Sequence, residues 1–487
     1  MISSGNLRLL ALGVAISLQI PGILGCGGHR VPDLSRVFAE ARNQRGKRPI
    51  ILVPGILNMN LVNSKTGETV WPSAFRSDDD ELALPITGDP LNSTDNLVAT
   101  KALESARFLP LMPRISFLKD LLIALRTGAG YHDGDWDNPS KDGDRDTFYT
   151  FLYDWRRDNV KVAQQLIERI SRLKEKLGKP ELRFDVVSVS MGGLIARYAA
   201  MYGNADLRND QNPPSLTWAG AAHIDRIFMF APPNAGSMEA FATVLNGYSI
   251  TQGAAKPRRL FHKLSREDAF TSLAVFQLMP HRQTVRFLDR DLKPLAIDLY
   301  DPVNWKGYGW SIAHDPAFRK RFVMKNAGGE KSPADQNANL LDVHLAATLE
   351  RTRLFHQALD VPIDGSAPVQ LVALAGDCEE TLNAVVVYYD QNNNRWVTMT
   401  SPRELRASDG HRIRQQEVRS AMYVPGDGRV TRSSVLGTSL EGAPNMESPY
   451  KTILPIVHAF FVCGGHGELQ NNPMLENNAL TLLLGRR

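Results

Sequence analysis

The chain has 487 residues, 43% of them hydrophobic and 22% charged, a balance that excludes disordered, collagen-like and coiled-coil classes. Its 56 basic and 52 acidic residues leave a formal charge of +4, too even to argue for a nucleic-acid surface. The three cysteines, Cys26, Cys378 and Cys463, lie too far apart in sequence for a zinc cluster or a disulfide-dense scaffold.

Residues 1–25 carry a single charge, Arg8, followed by the apolar run Leu9 to Leu18. Gln19 and Pro21 interrupt that run before it reaches the ~20 apolar residues of a spanning helix, so the segment reads as a secretory signal peptide. Its end, Ile23-Leu24-Gly25-Cys26, resembles the bacterial lipobox, in which the cysteine becomes the lipid-modified first residue of the mature protein. The expectation is therefore an exported protein, anchored to a membrane through Cys26 or else secreted or periplasmic, with residues 26–47 as a linker. In an oxidising compartment Cys378 and Cys463 are an even pair that could join.

From there short apolar runs alternate with helical patterns. Pro49 to Val53 is a continuous apolar run stopped by Pro54-Gly55, the signature of a strand buried on both faces. Phe148 to Trp155 reads as a second, aromatic-rich strand. Asp158 then caps a helix with Val162, Leu166, Ile167, Ile170, Leu173 and Leu177 at helical spacing, closed by Gly178 and Pro180. Leu182 to Val189 is a third strand leading to the helix Gly192 to Tyr202, and Ile224 to Phe230 is a fourth. This alternation predicts a mostly parallel sheet with helices on both faces. The stretch 241–325 breaks the rhythm with Phe241, Phe261, Phe270, Phe276, Phe287, Tyr300, Trp305, Tyr308 and Trp310, and reads as an inserted cap. Core parts at 48–240 and 326–487 flank it. The second part holds a helix over Leu340 to Leu359, a strand over Val369 to Ala375, a hairpin of Ala384–Tyr389 and Arg395–Met399, and a last strand over Ile453 to Val462.

Ser188-Val189-Ser190-Met191-Gly192 sits between a buried strand and a helix, with small residues two before and two after Ser190. That spacing is a nucleophile elbow and predicts an α/β-hydrolase fold. The helix that starts after Ser190 points its first amides at the reaction centre, so the Met191 amide is one candidate oxyanion donor and the Ile56 amide, at the end of the first strand, the other. In this fold the order is serine, acid, histidine. Asp377 and Asp427 both follow plausible strands between glycines, and spacing does not choose between them. Downstream of Asp427 only His458 and His466 remain. His458 lies in an apolar run and reads as a core histidine, whereas His466, in the glycine-rich segment Cys463 to Glu468, suits a mobile base.

The Pro49 to Gly55 strand, the Phe151-Leu152-Tyr153-Asp154-Trp155-Arg156 element, the Ser190 elbow, Ala231 to Ser237, Gly426 to Val430 and His466 occur in this order. Together they resemble the lecithin:cholesterol acyltransferase family, which includes phospholipid:diacylglycerol acyltransferases and a lysosomal phospholipase. The resemblance implies Ser190, Asp427 and His466 as the triad, favouring Asp427 over Asp377, with Ile56 and Met191 at the oxyanion hole. It implies a serine O-acyltransferase for lipid esters, with a lipid acyl donor, an alcohol or water acceptor, and a membrane or lipid surface as partners. Hydrolysis of the same esters by a lipase or phospholipase A is the alternative, and a non-catalytic lipid-binding lipoprotein a second. The cap would supply an apolar acyl groove. Arg429 departs from the family pattern, where threonine or serine is common.

Tyr153-Asp154-Trp155-Arg156 has a simple structural reading, aromatic anchors with Asp154 paired to a base. Asp133, Asp135, Asp137, Asp142, Asp144 and Asp146 suggest a calcium loop, but Asn138 replaces the glycine required at its sixth position, so a solvated turn is expected. No phosphate loop, dinucleotide fingerprint or zinc helix motif occurs, and no cofactor or metal is implied.

Overall fold

The protein is described from a computed structural model over residues 32–73, 82–106, 115–207, 214–249, 263–281, 287–326, 334–363, 366–437, 452 and 454–485. The expected signal peptide of residues 1–25, Cys26 and Phe261 lie outside the described residues.

Seven strands form the central sheet: β1 (Ile50–Val53), β2 (His132–Asp133), β3 (Thr147–Thr150), β4 (Phe184–Val189), β5 (Ile224–Phe230), β6 (Gln370–Gly376) and β7 (Ile456–Val462). Their order across the sheet is β7-β6-β5-β4-β1-β3-β2, and every adjacent pair is parallel. β1 pairs with β4 so that Val53 lies beside Ser188, which brings the ends of these two strands together. All of β1 and β4 is buried, as expected when helices cover both faces; β1 is an uninterrupted apolar run, and in β4 the polar Asp185 pairs with Arg226 while the Ser188 hydroxyl donates to the Phe228 carbonyl.

Two helices, one after β3 and one after β4, pack against each other. α1 (Asn159–Leu177) starts where the Asp158 carboxylate accepts the Lys161 amide and stops at Gly178, which is left-handed with φ 63°. α2 (Met191–Tyr202) is buried along its whole length. The order of strands, the crossover helices and the turn from β4 into α2 make this an α/β-hydrolase fold.

The strand expected over Phe148 to Trp155 ends at Thr150. Beyond it the aromatic side chains turn inward: Phe151, Tyr153 and Trp155 are all buried, and the chain leaves the sheet to seat them. The last strand differs too. β7 is an edge strand whose Val457, His458 and Ala459 are exposed, so His458 is not a core histidine. An apolar run alone does not tell an edge strand from a central one.

A second apolar cluster stands apart from the sheet core and includes Phe241, Phe270, Phe276, Phe287, Trp305 and Trp310. These rings pack on one another, with Phe241 edge-on to Trp310 at 4.9 Å and Phe287 stacked on Trp310 at 5.1 Å. Among the described residues these rings therefore pack on one another as a core rather than line the expected acyl groove. The cluster also recruits Leu341, Leu345 and Leu349 of α3 (Ala334–Leu359) and Val385, Val386, Val387, Val418 and Met422, well beyond residue 325. Ile56 and Ala240 pack against both clusters, which puts a candidate oxyanion residue at their junction.

Candidate active site

Ser190 has φ 51° and ψ −120°, a conformation that an L-residue holds only under restraint. Its amide donates to the Phe230 carbonyl at 2.7 Å, and the neighbouring Ser188 hydroxyl is turned away to the Phe228 carbonyl at 3.1 Å. The position two residues on must lack a side chain: a Cβ on Gly192 would stand 2.3 Å from the Val53 carbonyl oxygen and 2.7 Å from that of Pro54. The elbow and the end of β1 are thus pressed together.

The structure brings Ser190, His466 and Asp427 into one line. The Ser190 Oγ lies 3.0 Å from His466 Nε2, and His466 Nδ1 lies 2.8 Å from Asp427 Oδ2. The other oxygen of Asp427 accepts the amides of Arg429 at 3.0 Å and Val430 at 2.7 Å, so the carboxylate is held by three N–H donors. A carboxylate only accepts, which puts the imidazole proton on Nδ1 and leaves the Nε2 lone pair facing the serine hydroxyl. The Asp427 side chain is fully shielded from solvent and that of His466 is 15% exposed. The His466 amide donates to the Asp427 carbonyl at 2.8 Å, binding the two loops by backbone as well.

Asp377 is elsewhere. Its amide donates to the Val462 carbonyl, and its carboxylate faces Arg432 at 3.7 Å. Gly376 shows why Asp427 can reach the place beside it: a Cβ there would lie 3.0 Å from the Asp427 Cβ and 2.6 Å from the Gly464 carbonyl oxygen. The end of β6 is bare, and the acid and base loops fold onto it.

The Ile56 turn lies against the nucleophile, since a Cβ on Gly55 would come within 3.1 Å of Ser190 Cβ. Among the described residues neither the Ile56 amide nor the Met191 amide has a hydrogen-bond acceptor. Two unengaged amides flanking a serine can receive a developing oxyanion. Asn58, which the sequence reading passed over, shapes this turn: its side-chain oxygen accepts the Gly55 amide at 3.2 Å. An asparagine three residues after a Pro-Gly step is a local signal that could have marked it.

Cys378 and Cys463 form a disulfide with their Cα atoms 5.1 Å apart, and both residues are exposed. Asp154 pairs with Arg156 and Arg157, and Arg156, itself buried, also reaches Asp95 at 2.7 Å and the Leu82 carbonyl at 2.9 Å. The acidic turn does not converge on one point. Asp133 pairs with Arg126, Asp137 with Lys176, Asp142 with Arg145, Asp144 with Lys179, and Asp146 with Lys47, while Asp135 caps its own turn.

No protein-family model matches the chain, and no curated protein matches it. Among solved structures it is similar to the Tle4-Tli4 complex, with a TM-score of 0.47, 14% identity and coverage of 90% of this chain and 98% of that one. It is similar to the Bacillus licheniformis lipase BlEst2 in its propeptide form, with a TM-score of 0.33, 11% identity, and 91% and 54% coverage. For the phospholipase PlaB from Legionella pneumophila the TM-score is 0.22, with 14% identity and 48% and 33% coverage. Resemblances this distant carry no statement about function.

Proposed function

We propose that this protein cleaves lipid acyl esters through an acyl-Ser190 intermediate and passes the acyl group to an alcohol. The observation that carries the reading is the unbroken relay of 3.0 and 2.8 Å from Ser190 through His466 to Asp427. Serine is a weak nucleophile until a base takes its proton. Ser190 Oγ attacks the ester carbonyl as its proton moves to His466 Nε2, and Asp427 stabilises the imidazolium through Nδ1–H. The tetrahedral oxyanion is received by the amides of Ile56 and Met191. Its collapse breaks the ester C–O bond, and His466 returns the proton to the departing alkoxide. An incoming alcohol then repeats the steps in reverse, giving a new ester and free Ser190.

The lipid substrate and the transfer step are supported by the ordered motifs, above all Tyr153-Asp154-Trp155-Arg156 with the acid and base in sequence order, which resemble the lecithin:cholesterol acyltransferase family. Phospholipid labelled in its acyl chain, incubated with candidate alcohols, should yield labelled ester in excess of labelled fatty acid. Free fatty acid alone would make the enzyme a lipase. A fluorophosphonate should label the protein once, and Ser190→Ala should abolish labelling and lower turnover by about 10^4 or more. An unlabelled parent would leave the non-catalytic lipid-binding reading.

A further inference from the structure

The Ile56 amide sits on a strained turn that Asn58 holds from within and that other parts of the chain grip from outside. Ile56 and Leu57 are the central residues between Gly55 and Asn58, closed by the Asn58 amide donating to the Gly55 carbonyl at 3.2 Å. Leu57 has φ 64°, in the left-handed region that strains a non-glycine residue. Such strain persists only where surrounding groups fix it.

Three aromatic side chains from elsewhere in the chain supply the restraint. The Tyr153 hydroxyl donates to the Pro54 carbonyl at 2.5 Å, the Trp71 indole to the Leu57 carbonyl at 3.1 Å, and the Trp155 indole to the Met59 carbonyl at 3.3 Å. All three rings are buried. Trp71 meets Trp155 edge-on at 5.9 Å, and Tyr153 stacks on Phe151 at 5.6 Å, so the donors are themselves fixed by packing. Burial holds the Tyr153 phenol well above its usual pKa, so it remains a donor at any pH the protein meets.

We infer that Tyr153 and Trp71 are positioning residues for the oxyanion hole, clamping the carbonyls on either side of the Ile56 peptide so that its N–H points at the substrate oxygen. The inference rests on the acyl-serine reading. With Pro54 and Leu57 carbonyls both fixed, the Gly55–Ile56 peptide plane between them has little freedom to rotate. The Gly55 carbonyl on that same plane accepts the Asn58 amide, so losing either grip leaves Asn58 alone to set its tilt and shifts the donor, while ground-state contacts that do not use this N–H are unchanged. The effect therefore falls on kcat.

The test compares Tyr153→Phe and Trp71→Phe with Tyr202→Phe. Tyr202 is an equally buried tyrosine whose hydroxyl donates to the Ala358 carbonyl at 2.7 Å, outside the Ile56 turn. Each is assayed on a soluble chromogenic ester, together with fluorophosphonate labelling rate and thermal midpoint. Misplacing an oxyanion donor, a milder change than deleting it, should lower kcat and the labelling rate by roughly 10- to 100-fold in the first two variants, with KM within about twofold. Tyr202→Phe should lose a similar amount of thermal stability and keep its kcat. A labelled parent with kcat of Tyr153→Phe or Trp71→Phe within about twofold of it, or Tyr202→Phe losing as much kcat, overturns this inference alone. If Tyr153→Phe does not fold, Trp71→Phe decides. A parent that is not labelled at Ser190 overturns the acyl-serine reading and this inference with it.

Discussion

The choice of acid shows how much can depend on one residue. Asp377 follows β6 directly, while Asp427 reaches the same place only after an excursion of some length, yet it is Asp427 that lies 2.8 Å from His466 Nδ1. Asp377 is spent on Arg432 and on the end of β7. Asp427→Asn should keep the fold, because the amide oxygen can still accept from Arg429 and Val430. It should lower kcat by roughly 10^4, since an amide can favour the wrong imidazole tautomer. Asp377→Asn should leave kcat within about threefold. Comparable losses in the two variants, measured on one ester, would remove Asp427 from the relay. Gly426-Asp427-Gly428 and Gly376-Asp377 look equally suited by spacing, and only the ordered motifs favoured Asp427, because what separates them physically is which loop the chain folds back over the bare end of β6.

Among elements, the loop that carries His466 is the least constrained by its own residues. Gly464, Gly465 and Gly467 surround the histidine, and such a stretch loses the most backbone entropy on being ordered. It is tied at one end by the Cys378–Cys463 bridge, three residues before His466, and at the other by Gln470, whose amide group donates to the Phe117 carbonyl at 2.6 Å and that of Gly467 at 2.8 Å. Cutting the bridge should therefore reach catalysis as well as stability, typically by about 2–4 kcal/mol for the latter. Because both cysteines are exposed, a phosphine reductant should open the bridge in the folded protein. The expected result is a severalfold slower fluorophosphonate reaction well below the melting temperature. The double variant Cys378→Ser, Cys463→Ser should show the same slow rate and no further response to reductant. An unchanged rate after complete reduction, verified by thiol counting, would confine the bridge to stability. The sequence offered the cysteine pair, but only the convergence of the β6 and β7 ends brings them to 5.1 Å.

For the molecule as a whole, α4 (Pro473–Leu484) closes the sheet core and carries an anomaly there. Glu476 is buried beside Leu121, Leu125, Val187 and Phe230, and burial, aided by the charge of Asp120, pushes its carboxyl up to about 8. The folded value lies above the unfolded value of 4.5, so between those limits the native state keeps a proton that the unfolded chain has released. Its contribution is fully present below pH 4.5 and is lost as pH rises through about 8. Thermal midpoints should fall over that window. Glu476→Gln, which cannot ionise, should flatten the decline and be the more stable protein at pH 8.5. A parallel decline in both proteins would show that other groups govern it. Nothing in Pro473 to Leu484 announces this, since a glutamate in the first turn of a helix is ordinarily solvated.

Sequence alone was enough for the parallel sheet, the Ser190 elbow, the amides of Ile56 and Met191 as neighbours of the nucleophile, and the helix from Asp158 to Gly178. Each depends on the backbone preferences and burial of residues close together in the chain, and these are local quantities. The tertiary structure alone decided that Cys378 and Cys463 touch, that His458 faces outward, that the aromatics between Phe241 and Trp310 fill a core, and that Tyr153 and Trp71 hold the Ile56 turn, and it gave the physical reason for Asp427 over Asp377. Ser190 and His466 are 276 positions apart. Contacts over such distances are fixed by how layers pack against one another, and that packing is a sum over the whole chain that no short segment encodes.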